Sequence, residues 1–169
     1  PRGAENTSAI VLAASRGEEL RELTEHQPKT MVNIQGTPIL AHIVDAYNAV
    51  GIKDITVVRG YKKEAVTLPN LTYLDNDDFA DTGELDSLDK AVRARKGLAK
   101  DLIISYGDVL FNTYIPQALC QEKEDFVVFV DSDWQNQSSY DRLGGFAECS
   151  VPNSKKAFNT KIYLKQLGD

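Results

Sequence analysis

Ala9-Ile10-Val11-Leu12-Ala13-Ala14, followed at once by Ser15-Arg16-Gly17-Glu18-Glu19-Leu20, is the stretch on which the fold turns. A short apolar run with no polar alternation is the pattern of a strand buried on both faces. The residues after it are small and polar. Ala13, Ala14, Ser15 and Gly17 let the backbone approach a ligand closely, and amides in such a turn can cradle phosphate oxygens. Leu12, Ala13, Ala14, Ser15 and Gly17 are therefore nucleotide-side candidates, although many strand-to-loop turns share this character.

Working outward, helical and strand patterns alternate. Ile39, Leu40, Ile43, Val44, Tyr47 and Val50 keep helical spacing over residues 38–50, and Gly51 is a stop signal. Ile55-Thr56-Val57-Val58 reads as a second strand and Leu71-Thr72-Tyr73-Leu74 as a third. A helix is expected over 84–94, with Leu85, Leu88, Ala91 and Val92 on one face. Leu102-Ile103-Ile104-Ser105-Tyr106 reads as a fourth strand, and a short helix surrounds 115–120. Phe126-Val127-Val128-Phe129-Val130 reads as a fifth strand, and 143–150 as a sixth. Strand, helix, strand in repetition predicts an α/β fold, a mainly parallel sheet covered by helices on both faces. Ligands then bind at the carboxyl ends of the strands.

The 169 residues are 42% hydrophobic and 26% charged, ordinary for a globular protein with a real core. No apolar run approaches the roughly 20 residues of a membrane helix, and the polar start, Pro1 to Ser8, reads as no signal peptide. Net charge is −6, from 19 basic and 25 acidic side chains, which argues against a nucleic-acid polymer as partner. One bound nucleotide needs only a local nest and a few cations. Cys120 and Cys149 have no metal-ligand spacing and read as reduced thiols in a cytoplasmic protein. His26 and His42 have no partner pattern and read as structural or exposed. The chain begins on the linker-like segment 1–8 without Met and stops at Gly168-Asp169. Both ends read as cut, so 9–169 is expected to be one domain, incomplete or excised from a larger protein.

Residues 12–40 run Leu12-Ala13-Ala14-Ser15, then Leu23-Thr24, Pro28-Lys29 and Gly36-Thr37-Pro38-Ile39-Leu40. In content and spacing this resembles the signature of nucleotidyltransferases that act on sugars and small alcohols. The resemblance implies a Rossmann-like three-layer α/β/α fold with the nucleotide above the first strand. It also implies that Lys29 contacts the nucleotide's phosphates, where a compact cation suits polyanionic oxygens. Two positions depart from the family pattern: Ser15 stands where Gly is usual, and Glu19 where an arginine holds the triphosphate. Arg16, inside the loop, is favoured over Arg21 to supply that cation, and is grouped with Lys29 as catalytic.

Asp81-Thr82-Gly83-Glu84-Leu85-Asp86-Ser87-Leu88 resembles the family's base-reading loop. The sugar-nucleotide pattern Gly-Thr-Ala is absent. The sequence here looks more like cytidylyltransferases for phosphocholine and for phosphonates, including those fused to phosphoenolpyruvate mutase. By this resemblance Thr82, Gly83, Glu84 and Ser87 meet the nucleotide. A carboxylate such as Glu84 can accept from the exocyclic amine of cytosine, which uracil lacks. Thr82 and Glu84 as plain helix caps remain an equal alternative. Tyr106-Gly107-Asp108 ends the fourth strand, where the family places a metal-binding aspartate, so Asp108 is the candidate Mg²⁺ ligand. Asp131, Asp133 and Trp134 at the end of the fifth strand suit a cationic acceptor head or a turn cap. Tyr61, in a Gly-Tyr step common in the family, joins Asp131 and Asp133 on the acceptor side. Lys155, Lys156, Lys161 and Lys165 form a basic segment, read as a solvated face before an acceptor contact.

The expected function is transfer of a cytidylyl group from CTP to a small acceptor such as 2-aminoethyl- or 2-hydroxyethylphosphonate, or phosphocholine, with release of pyrophosphate. A fused or partner phosphonate-pathway enzyme domain goes with it. The competing expectations are a sugar-1-phosphate nucleotidyltransferase and a non-catalytic nucleotide-sensing domain, the latter favoured by Glu19.

Overall fold

The computed structural model describes residues 3–95, 101–133, 145–151 and 161–168. The chain divides into two units, residues 1–123 and 124–169.

In the first unit, four parallel strands form one sheet: β1 (Thr7–Ala13), β4 (Asp54–Arg59), β5 (Thr72–Asp75) and β6 (Asp101–Tyr106), in the order β5-β4-β1-β6. A two-residue pair, β2 (Asn33–Ile34) and β3 (Thr37–Pro38), stands apart as a small antiparallel sheet. Ala9 lies opposite Ile55 on one side and Ile103 on the other, so β1 is central and hydrogen-bonded along both edges. Its apolar run matches that position.

The strand's two-residue period builds two cores. Ala9, Val11 and Ala13 face helix α1 (Ile39–Ala49), whose Ile39, Leu40, Ile43, Val44 and Tyr47 pack against them with Ile55 and Val57. Ile10 and Ala14 face the other way, with Val58 and with Ala91 of helix α2 (Glu84–Ala94). The expected Rossmann-like α/β arrangement is what forms. Helix α3 (Tyr114–Gln121) follows β6. Among the described residues no helix is long and apolar enough to cross a membrane.

Two expectations change. Helix α2 does not bury Leu85 and Val92, which are 80% and 47% exposed; it buries Ser87 and Ala91. Asn76, just past the end of β5, bonds Ser87 on that face, and Leu88 packs beside Ala91 as expected. Residues 126–130 form no strand. They open the second unit as exposed, irregular chain. An apolar run has strand propensity, but a strand exists only through a ladder, and among the described residues no ladder is assigned to this run. Among the described residues of that unit, β7 (Ala147–Cys149) pairs antiparallel with β8 (Leu164–Leu167), and β7 falls within the sixth strand expected over 143–150; residues 143–144 lie outside the described residues.

Candidate functional site

The parallel order reverses direction between β1 and β6: from β1 the chain winds to β4 and β5, then returns to β6 on the other side. Such a switch point opens a crevice between the loops that leave the two strands. A cleft of about 450 Å³ lies there. Leu12, Ala13, Ala14 and Ser15 form one wall, and Tyr106, Gly107, Asp108 and Val109 another. Thr82, Gly83, Glu84 and Ser87 come from the start of α2, and Lys29, Thr30 and Phe79 complete it.

Two glycines make the walls fit. The Gly107 N–H donates to Leu12 O at 2.8 Å, and a Cβ on Gly107 would stand 2.7 Å from Ala13 Cβ. Only glycine lets the end of β6 lie this close to the end of β1. Gly17 has φ +77°, and a Cβ there would sit 2.6 Å from Lys29 Cδ. Its bare backbone is the groove along which Lys29 reaches the cleft. The loop is tied from behind. Buried Thr24, of the Leu23-Thr24 step, directs its hydroxyl to Gly17 O at 3.0 Å and Arg21 O at 3.2 Å, and Lys29 N–H donates to Arg16 O. The N–H groups of Ser15, Arg16 and Gly17 have no backbone acceptor among the described residues, which leaves them for an anion.

Lys29 Nζ lies 2.7 Å from Asp108 Oδ2 and 3.7 Å from Glu19 Oε1. Burial pushes its pKa down, but the hydrogen bond and charge of Asp108, then those of Glu19, outweigh that and hold it above the ordinary lysine value. The ammonium is thus charged at all physiological pH and already among oxygens. Thr30 Oγ1 is buried in the same wall with no hydrogen-bond partner among the described residues. A buried hydroxyl without a partner is costly, and an incoming ligand oxygen would satisfy it.

The start of α2 has its capping hydrogen bond from a residue other than Thr82 or Glu84. Gly83 N–H donates to Asp86 Oδ2 at 3.0 Å, so Asp86 supplies the cap. Thr82 donates instead to Asp78 O, and Glu84 is exposed on the cleft. Neither residue is spent on capping.

Ten of the expected residues meet in one cleft: Leu12, Ala13, Ala14, Ser15, Lys29, Thr82, Gly83, Glu84, Ser87 and Asp108. Gly17 stands behind Lys29. Arg16 and Tyr61 do not line the cleft. The Arg16 guanidinium lies 5.3 Å from the Tyr61 ring centre, while Tyr61 OH donates to Glu25 O and Tyr61 N–H to Ala14 O. Together they brace the loop from outside. Asp131 and Asp133 belong to the second unit, where Asp133 N–H donates to Asp131 Oδ1 at 2.9 Å, a turn cap. Trp134, Lys155 and Lys156 lie outside the described residues. Lys161 pairs with Glu124, and Lys165 with Glu148. Thr30, Phe79 and Val109 were not expected in the site. Thr30 adjoins the Pro-Lys step, but nothing in the sequence pattern marks Phe79 or Val109.

The residues fit a magnesium ion. No group of three or more metal-ligating side chains occurs among the described residues. Mg²⁺ needs only one or two carboxylates when substrate phosphates and water complete its shell. Asp108 is the carboxylate in place.

The chain is similar to known proteins. The chain is 33% identical over 144 residues to the UTP–glucose-1-phosphate uridylyltransferase of Haloferax volcanii, covering 78% of this chain and 57% of that one. It is 32% identical over 136 residues to the CTP:phosphoglutamine cytidylyltransferase of Campylobacter jejuni, covering 75% and 53%. Its structure is similar to that of the CTP:phosphocholine cytidylyltransferase of Streptococcus pneumoniae, with a TM-score of 0.56 and 26% identity over 64% of this chain and 50% of that one. The chain thus spans about half the length of the proteins it matches here. Residues 9–140 match the family model of the MobA-like NTP transferase domain, and the chain belongs to that family.

Proposed function

We propose that this domain binds CTP and supports transfer of its cytidylyl group to a small phosphonate- or phosphate-bearing acceptor, releasing pyrophosphate. One observation carries this reading: a single cleft joins a charged lysine and a phosphate-type loop at one side to a free acceptor carboxylate, Glu84, at the start of α2. A triphosphate needs the first and a cytosine amine the second. The cytidylyltransferase relatives support the same choice.

In this reaction an anionic acceptor oxygen attacks the α-phosphorus, a new P–O bond forms, and the bond to the pyrophosphate oxygen breaks. The acceptor is already deprotonated, so no general base is needed. Catalysis is positioning and charge neutralisation. Lys29 exchanges Asp108 for phosphate oxygens, the 15–17 amides receive the triphosphate, and Thr30 donates to it. Mg²⁺, held by Asp108, would neutralise the α-phosphate and the leaving group. A cytoplasmic setting suits this substrate and the two free thiols, Cys120 and Cys149.

The test is pyrophosphate release by the full-length protein with CTP or UTP against 2-aminoethylphosphonate, phosphocholine and glucose 1-phosphate, beside calorimetric titration of each triphosphate. Tighter CTP binding and turnover with a phosphonate or phosphocholine are expected. Equal or tighter UTP binding, with turnover of glucose 1-phosphate, would establish the sugar-nucleotide reading that the Haloferax relative favours. Binding without any turnover would leave a nucleotide sensor.

A further inference from the structure

Asn76 follows the end of β5 and is fully buried, yet its side-chain amide is bonded at both ends. Its Nδ2 donates to Thr82 Oγ1 at 2.9 Å and to Ser87 Oγ at 3.0 Å, and its Oδ1 accepts from Lys90 Nζ at 2.7 Å. Lys90 settles which end is which, because an ammonium only donates and must face the amide oxygen. Lys90 is held in turn by Asp78 Oδ2 at 3.2 Å. The Thr82 hydroxyl gives its hydrogen to Asp78 O at 2.8 Å. Ser87 is different. Its oxygen accepts from Asn76, and its hydrogen has no acceptor among the described residues. Ser87 lines the cleft and sits one helical turn from Glu84, on the same side of α2.

We propose that Asn76 is a positioning residue for base selection: by donating to Ser87 it occupies an acceptor site of that hydroxyl and leaves its hydrogen to be donated into the cleft. Glu84 then accepts and Ser87 donates, side by side. Cytosine presents the complement, an amine that donates beside a ring nitrogen that accepts. Uracil presents the reverse, a carbonyl beside an N–H. The inference rests on the CTP reading above and supplies the half of the discrimination that a carboxylate alone lacks. Lys90 and Asp78 act one step further back, by fixing the amide's orientation.

The decisive variant is Asn76→Asp. It keeps the shape and the Lys90 bond but turns a donor into an acceptor. Ser87 then gives its hydrogen to the new carboxylate and withdraws it from the cleft. CTP affinity should fall about tenfold, the preference for CTP over UTP should narrow, and the loss should fall on KM for CTP rather than on kcat. Ser87→Ala should lose as much, and the double variant no more than either alone, because both remove one interaction. Lys90→Met frees the amide to turn over. It should give a smaller loss in the same direction, and it serves if Asn76→Asp does not fold. A wild-type CTP:UTP ratio in these folded variants, or additive losses in the double variant, would reduce Asn76 to a packing role. If the unaltered protein shows no preference for CTP, the functional reading fails first. The coupling of positions 76 and 87 in binding whichever nucleotide is held still decides whether Asn76 acts through Ser87.

Discussion

Lys29 Nζ and Asp108 Oδ2 stand 2.7 Å apart at the meeting of the β1 and β6 loops. The pair joins the residue expected on the phosphates to the residue expected on the metal. On the proposed reading, a metal on Asp108 and a triphosphate on Lys29 would each compete with this bond.

Lys29→Ala removes the cation while leaving the loop, since the hydrogen bond to Arg16 O belongs to its main chain. Turnover should fall by about 10²–10³-fold with the melting temperature nearly unchanged. Pyrophosphate release and thermal melting measure the two; an undiminished rate in a folded variant would return Lys29 to an ordinary surface lysine.

Asp108→Asn keeps shape and removes charge. Mg²⁺-dependent pyrophosphate release should drop about a hundredfold or more. Nucleotide binding without metal should hold or tighten, because one negative charge near the phosphates is gone. Calorimetry with and without Mg²⁺ separates these effects, and near-normal turnover would show that Asp108 is no ligand.

Glu19 stands where an anion is unfavourable to a triphosphate, 3.7 Å from the lysine meant to bind it. The carboxylate is about half exposed, so its effect is screened. Glu19→Gln should tighten nucleotide binding modestly, about threefold, and more at low salt than at high. Weaker binding would mean that Glu19 helps the site by orienting Lys29.

Tyr47 is fully buried under β1 with its ring 5.3 Å from that of Phe111. Burial pushes its phenol up to about 12, with Ser105 pulling slightly the other way. The unfolded phenol ionises near 10.0, so the folded state is favoured fully below that value. That share of stability is lost as pH rises from 10 toward 12. Chemical denaturation at stepped pH should show the decline beginning near pH 10, and Tyr47→Phe should weaken it.

Much of this architecture was legible because it rests on local pattern. The apolar run at 9–14 and the helical spacing at 39–47 each say which surface is buried, and the fold follows from their alternation. The cleft was legible through the family resemblance: the Pro28-Lys29 step folds back onto the loop after β1, and Asp108 follows the adjacent strand β6. Other features had no local sign. Asn76 reads as one polar residue in an acidic turn; its role arises because β5 ends beside α2. The bond falls on a face of α2 that buries Ser87 and Ala91, with Leu88 half-buried beside them, and leaves Leu85 and Val92 outside. The run at 126–130 shows the limit from the other side: composition reports willingness to form a strand, and among the described residues no ladder is assigned to it.

The central position of β1 also bears on how the chain acquires its shape. Thr7 must wait for Asp101, and Leu12 for Tyr106, before the second edge of β1 is covered. A strand made first and completed among the last is a pairing of long sequence separation, which slows folding. While the chain is being synthesised, β1 can dock with α1 and β4 but keeps one bare apolar edge until residue 106 has emerged. A nascent chain halted before that point would carry an open edge fit for aggregation or for a chaperone.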